Sequence, residues 1–340
     1  MRKEILLTGG LGYIGSHTAV ELLEHGYMPV IVDDLSNTRV EVLDGIEKIT
    51  GIRPPFYPDS LLDASALHRI FEEHPRMHGI IHFAASKYVG ESVEKPLKYY
   101  ENNLCSLINL LKESLAHGVR NFIFSSSCTV YGLPDNLPVT EETPVKPALS
   151  PYGNTKQIGE EILTDTARAE DLRVILLRYF NPIGAHPSSE IGELPVGVPQ
   201  NLVPFITQTA AGLHPELKIF GDDYPTPDGT AIRDYIHVVD LARAHVRALQ
   251  YLEEGRNRNK VEIFNIGTGQ GNSVMEVVRT FQEVTGVKLP YRITERRPGD
   301  VPAIWADASK AEKEMGWTAR MSLADALRDA WNWEKKIRNL

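Results

Sequence analysis

Apolar positions in the first half of the chain fall into short unbroken runs. Glu4–Thr8, Pro29–Val32, Gly79–Ala84, Asn121–Phe124 and Arg173–Leu177 are each about four to six residues long and rich in Ile, Val, Leu or Phe. Such runs suit parallel strands covered on both faces. Between them lie helical patterns. Ile14–His25 closes on Gly26 and Tyr100–His117 closes on Gly118. Glycine just past a helix end suits the left-handed capping conformation. This alternation predicts an α/β fold built on a doubly wound parallel sheet.

The pattern changes near Asn181. Residues 181–230 hold eight of the chain's 22 prolines, a density that leaves room only for loops and short helices. A smaller, mixed C-terminal lobe is the reading. Val261–Ile266 then repeats the buried-strand pattern, so the chain is expected to return to the first domain. The expected division is 1–180, with a return around 235–268, and 181–340.

The chain has 340 residues, enough for two domains, and its apolar share of 42% supports a sizeable core. Lys and Arg number 36 against 45 Asp and Glu, a net charge of −9. That argues against a nucleic-acid partner held by bulk electrostatics but leaves room for a local anion site. Two cysteines, Cys105 and Cys128, are too few for a disulfide framework and point to a reducing, cytoplasmic setting. No apolar run approaches the ~18 residues of a membrane span. His68, His74, His78 and His82 cluster in sequence without metal-ligand spacing, so no metal site is expected.

The loop after the first strand reads Gly9-Gly10-Leu11-Gly12-Tyr13-Ile14-Gly15 and opens the first helix. Glycines 9, 12 and 15 answer three needs: a tight turn, close approach of backbone to a pyrophosphate, and close helix–strand packing. The helix N-terminus adds unpaired N–H groups. Asp33 ends the second strand, 18 residues after Gly15, where an acid accepts from a ribose 2′-OH and repels a 2′-phosphate. A Rossmann-type domain that takes NAD is the expectation.

Tyr152 and Lys156 stand four apart, so one helical face presents phenol and ammonium together. Ser150 and Pro151 suit the start of that helix. Ser127 follows the Asn121–Phe124 strand, at the strand end where open α/β sheets gather ligands. A cation about 5 Å from the phenol, at an effective dielectric near 20, favours phenolate by roughly 3 kcal/mol, about two pKa units. Lys156 supplies such a cation, which makes Tyr152 a candidate general base for an alcohol.

Taken together, these residues resemble the extended short-chain dehydrogenases/reductases. The stretches Lys87–Val93, Phe124–Gly132, Leu177–His186, Arg233–Val238 and Trp305–Asp307 resemble the UDP-glucose 4-epimerase family. The resemblance runs from about residue 4 to about residue 335. It implies interconversion of UDP-galactose and UDP-glucose through a 4-keto sugar, with hydride passing to tightly bound NAD and back. It gives Tyr152 the 4-OH proton, Ser127 a hydrogen bond to the reacting oxygen, and Lys156 the tuning of Tyr152. It places Tyr13, Ile14, Asp33, Asn37, Ser60, Phe83, Ala84, Lys87, Asn102 and Phe180 on the cofactor. It places Lys87, Asn181, Asn201, Leu202, Ile219, Phe220, Arg233, Arg297, Asp300 and Ile304 on the UDP-sugar. It also implies a homodimer, with Tyr100–Gly118 and Thr155–Ala169 as contributors.

Some positions depart from the family pattern. Asp33-Asp34 stands for a usual Asp-Asn, Asp59-Ser60 for Gly-Asp near the adenine, and Cys128 for an alanine. Ile304 lies between the bulky aromatic of members confined to glucose and galactose and the smaller residue of members that accept N-acetylated sugars. Some turnover of UDP-N-acetylglucosamine and UDP-N-acetylgalactosamine is therefore expected. Three other readings of the residues are open. A nucleotide-sugar dehydratase would need an Asp-Glu pair where this chain has Cys128-Thr129-Val130. A simple NAD-dependent dehydrogenase would exchange its cofactor. A dinucleotide-sensing regulator would have no need of an intact Ser127, Tyr152 and Lys156.

Overall fold

The structure is a computed structural model and describes residues 2–297 and 300–340. Its centre is a seven-stranded sheet in the order β11-β6-β5-β4-β1-β2-β3, and every neighbouring pair is parallel. The strands are β1 (Lys3–Thr8), β2 (Tyr27–Val32), β3 (Phe56–Tyr57), β4 (Met77–His82), β5 (Asn121–Ser125), β6 (Arg173–Tyr179) and β11 (Val261–Ile266). Successive side chains alternate between two cores. Ile5, Leu7, Ile31, Ile81, Ile123, Ile175 and Leu177 pack to one side, with α1 (Tyr13–Glu24), α2 (Val42–Thr50) and α9 (Val238–Glu253). Leu6, Val30, Ile80, Phe122, Phe124, Val174 and Leu176 pack to the other, with α3 (Ala64–Glu73), α6 (Ser106–Ala116) and α7 (Pro151–Ala169). Because both faces are covered, these strands read as continuous apolar runs.

The remaining elements build a smaller lobe from short pieces. They include β7 (Asn181–Ile183), α8 (Leu202–Ala210), β8 (Leu217–Phe220), β9 (Ile232–Arg233) and β10 (Tyr235–His237). After β11 come β12 (Asn272–Ser273), α10 (Val274–Thr285), β13 (Tyr291–Thr294), β14 (Ala303–Ile304) and α11 (Leu323–Arg338). Two two-stranded pairs and one three-stranded sheet of mixed direction result. This lobe has its own core, in which Val203, Ile206, Leu217, Val277, Phe281 and Leu327 are buried.

Two elements differ from the sequence reading. The fourth strand runs Met77–His82, not Gly79–Ala84, so Phe83 and Ala84 lie beyond its end in the loop over the glycine turn. The Tyr100–His117 helix is interrupted. After α4 (Val89–Glu94) and α5 (Pro96–Tyr100), a wide π-type turn covers Glu101–Cys105 before α6. Asn103 accounts for it: its side chain accepts from Ser86 N (2.8 Å) and donates to Ser86 O (3.0 Å) and Thr155 Oγ1 (3.0 Å). Wide turns of this type recur at functional sites.

Candidate active site

The first cleft opens where β1, β2 and β4 end. Gly9 has φ +67°, and a Cβ there would lie 2.8 Å from Ala84 N; a Cβ on Gly15 would lie 2.2 Å from Gly9 O. The loop therefore excludes side chains and delivers bare backbone to the start of α1, where Gly12 caps without a side chain. Asp33 closes the loop from below. It accepts from Leu11 N and Leu35 N, both at 3.1 Å, and burial pushes its carboxyl up to about 6. Tyr13, Ile14, Asn37, Ser60, Phe83, Ala84, Lys87, Asn102, Tyr152 and Lys156 line the same cleft. Asp59 lines it too, but its carboxylate receives Arg69 (2.7 Å). A glycine cradle that a Cβ would fill, open N–H groups and an acid at the end of β2 fit a dinucleotide.

Ser150 caps α7 through Gly153 N (3.1 Å), with Pro151 in the first turn. That start points Tyr152 and Lys156 into the cleft, where both are buried. Ser127 lies near enough to Tyr152 for its hydroxyl to act on the phenol, and Ser127 Oγ accepts from Thr129 N (3.2 Å). Lys156 Nζ donates to Ser125 O (2.8 Å) and lies 4.9 Å from the Phe124 ring centre. Burial brings the ammonium down to about 8, opposed by Glu160. Burial also pushes the Tyr152 phenol well above its ordinary value, with only Ser127 pulling it back. In the protein alone, loss of solvent outweighs the pull of Ser127 on the phenol.

The second cleft belongs to the smaller lobe. Asn181, Asn201, Leu202, Ile219, Phe220, Arg233, Arg297 and Asp300 line it. Asp300 stands between the arginines, 2.9 Å from Arg297 Nε and 3.7 Å from Arg233 Nη2, and Arg297 lies over the Phe220 ring. Ile304, Phe180 and Ser127 line neither cleft. Ile304 and Phe180 pack with Val130, Tyr131 and Val139 in the wall behind them, and Ser127 is buried behind Tyr152.

Sequence reasoning missed Glu193, which joins the two clefts. It lines the first cleft, accepts from Asn201 of the second (2.8 Å), and lies 3.9 Å from Lys87. Burial pushes its carboxyl up, against Lys87 and Asn201. Nothing in its proline-rich neighbourhood distinguishes it from a surface acid. The four clustered histidines are separated: His74 meets Glu4, His78 meets Glu253, and His82 meets Thr8. Of the four, only His68 gathers with other metal-capable groups among the described residues, namely Glu113 on α6 and His117 at its C-terminal end.

The family model described as GDP-mannose 4,6 dehydratase matches residues 6–330. The UDP-glucose 4-epimerase of Bacillus subtilis is 50% identical over 331 residues, 97% of this chain and 96% of that protein. A crystal structure of the Stenotrophomonas maltophila UDP-glucose 4-epimerase, with bound NAD and formylated UDP-arabinopyranose, superposes with a TM-score of 0.96. It is 47% identical and covers 100% of this chain and 99% of its own. The Bifidobacterium longum UDP-glucose 4-epimerase, in complex with NAD+ and UDP, gives 0.94 at 46% identity, with 99% of each chain covered.

Proposed function

The chain belongs to the UDP-glucose 4-epimerase family, isomerases that use NAD to interconvert UDP-galactose and UDP-glucose through a 4-keto sugar, and on that premise we propose which residues do the work. The observation that carries the assignment is that Tyr152 and Lys156 enter the first cleft together, buried, with the Ser127 hydroxyl near the phenol.

Bound NAD supplies the hydride acceptor, its return and a positive charge. Tyr152 takes the proton of the sugar 4-OH and returns a proton to that oxygen when the 4-keto carbon is reduced from its other face. Ser127 donates to the reacting oxygen and relays the proton, its hydroxyl oxygen held by Thr129 N. Lys156 holds the nicotinamide ribose and adds positive charge beside the phenol. Gly9, Gly12 and Gly15 receive the pyrophosphate with Tyr13 and Ile14, and Asp33, Asn37 and Ser60 hold the adenosine half. Phe83, Ala84, Lys87, Asn102 and Phe180 enclose the remainder. Arg233 and Arg297 clasp the sugar-nucleotide diphosphate, a guanidinium task that explains anion binding by a chain of charge −9. Asn181, Asn201, Leu202, Ile219, Phe220 and Asp300 complete that site. The dehydratase named by the family model is disfavoured by Cys128-Thr129-Val130, which offers no acid pair for elimination.

Two lobes, 1–180 with the 235–268 return and 181–340, divide cofactor from sugar nucleotide. A homodimer is supported by exposed Val93 and Leu97, with Ile108 on α6. No described helix is long and apolar enough to cross a membrane, and a cytoplasmic setting agrees with two free cysteines.

Ile304 is 5% exposed and packs with Phe180, Val130 and Tyr131, and its moderate bulk supports acceptance of N-acetylated UDP-sugars. The test is protein purified without added cofactor, given UDP-galactose or UDP-N-acetylgalactosamine and followed by anomeric-proton NMR. UDP-glucose is expected in the first tube, and slower UDP-N-acetylglucosamine in the second. A second substrate left untouched at enzyme levels that equilibrate the first removes the part given to Ile304. An unchanged first tube, even with added NAD, removes the whole assignment.

A further inference from the structure

One turn beyond Lys156 on α7 lies a second acid that reaches neither cleft. Glu160 Oε2 accepts from Arg178 Nη2 (2.6 Å); Oε1 accepts from Arg178 Nε (3.0 Å) and Ser126 Oγ (2.5 Å). Both side chains of the ion pair are less than a tenth exposed. Arg178 on β6 lies over the Tyr131 ring, and Tyr131 OH donates to Asn265 on β11 (2.6 Å). Ser126 is held a second time, its N–H donating to Leu177 O (2.9 Å).

The clamped residue matters. Ser126 stands between Ser125, whose carbonyl receives Lys156, and Ser127, whose hydroxyl lies near the Tyr152 phenol. A buried ion pair is a poor device for stability alone, since an apolar pair of the same volume does as well or better. It does fix geometry, and it places a full negative charge one turn from Lys156. The groups facing Lys156 are Tyr152 and Glu160 on its own helix, the Ser125 carbonyl and Phe124 ring on β5, and His82 on β4, which burial keeps neutral. Among them Glu160 is the anion.

We propose that the Glu160–Arg178 pair is a positioning unit for the reaction: it holds the Ser125–Ser127 strand end against α7 and keeps Lys156 cationic beside Tyr152. The pair acts through Ser126 and Lys156 and touches no substrate. The proposal rests on Lys156 supporting Tyr152 as assigned above.

The test is E160Q as NAD-loaded enzyme, with kcat and KM for UDP-galactose measured across pH. NAD content and KM should hold near wild type while kcat falls about 10–100-fold. The alkaline limb of kcat should move down by about one pH unit, because Lys156 loses its proton sooner without the neighbouring charge. E160D should restore the limb. Since E160Q strands the Arg178 charge, E160Q/R178M removes both and should still show the displaced limb; it decides the matter if the single variant does not fold. A uniform loss of kcat, or an unmoved profile, in the folded variants overturns the proposal. K156M separates the two layers. A limb lost in K156M but unmoved in E160Q and E160Q/R178M overturns the positioning role alone, whereas a limb that persists in K156M withdraws the Lys156 assignment and the proposal with it.

Discussion

At the glycine loop the wall of the first cleft is main chain: glycines that leave no room for a Cβ, and one acid whose oxygens each receive a loop N–H group. Around the second cleft the wall is side chain, with two arginines sharing Asp300 and one of them resting on Phe220. The first is cut to one shape by backbone sterics. The second is held by ion pairs that can exchange an internal partner for a ligand's phosphates. A cofactor that stays and a substrate that comes and goes call for that difference.

The largest effect should follow from breaking the backbone side. In Gly15→Ala the new methyl meets Gly9 O at 2.2 Å and Gly10 Cα at 2.8 Å, neither the end of a flexible side chain. The protein should lose its co-purifying NAD and about 3 kcal/mol of stability or more. Recovery of one NAD per chain after heat release would contradict this. On the side-chain side, Arg233→Met should leave NAD content intact. It should raise KM for UDP-galactose by about 10–100-fold, the worth of a charged hydrogen bond of roughly 1.5–3 kcal/mol. A matching loss of NAD would erase the distinction between the clefts.

Acid should weaken the sheet domain. His17, His82 and His245 are buried neutral, their pKa values pulled down by burial to about 3, 3 and 4. The folded state then holds fewer protons than the unfolded one. Their contribution is complete above the unfolded value of about 6.5 and is lost as pH falls toward 3–4, at up to about 1.4 kcal/mol per pH unit for each. Urea melts at pH 7.5 and 5.0 measure it, and equal midpoints would exclude it. The smallest effect is expected from Arg297→Met. Arg297 is 52% exposed against 16% for Arg233, so solvent screens it and KM should rise less than about fivefold.

Backbone requirements were readable because they are local. Glycines three apart after a strand, a serine and proline before a helix, and unbroken apolar runs each state a need that no distant residue can change. Glu160, Asn103 and Glu193 were not readable, because each is defined by a partner elsewhere: Arg178 lies 18 residues on from Glu160, and Thr155 lies 52 on from Asn103. The spacing of Tyr152 and Lys156 told that phenol and ammonium enter one cleft, but not how deeply that cleft buries them. The Tyr100–His117 helix failed for a related reason. Its apolar period is sound, but the side chain of Asn103 takes its partners from Ser86 and Thr155, outside the helix.

The order of strands bears on how the chain is made. β6 ends at Tyr179, and its outer neighbour in the sheet, β11, begins at Val261. On the ribosome 81 residues separate the two, about 4–16 s of synthesis at 5–20 residues per second. Through that interval β6 offers an open edge of apolar residues, the kind of surface that recruits strands from other chains. Slowing translation between codons 180 and 261 should therefore lower soluble yield, whereas an equal pause after codon 300 should cost little.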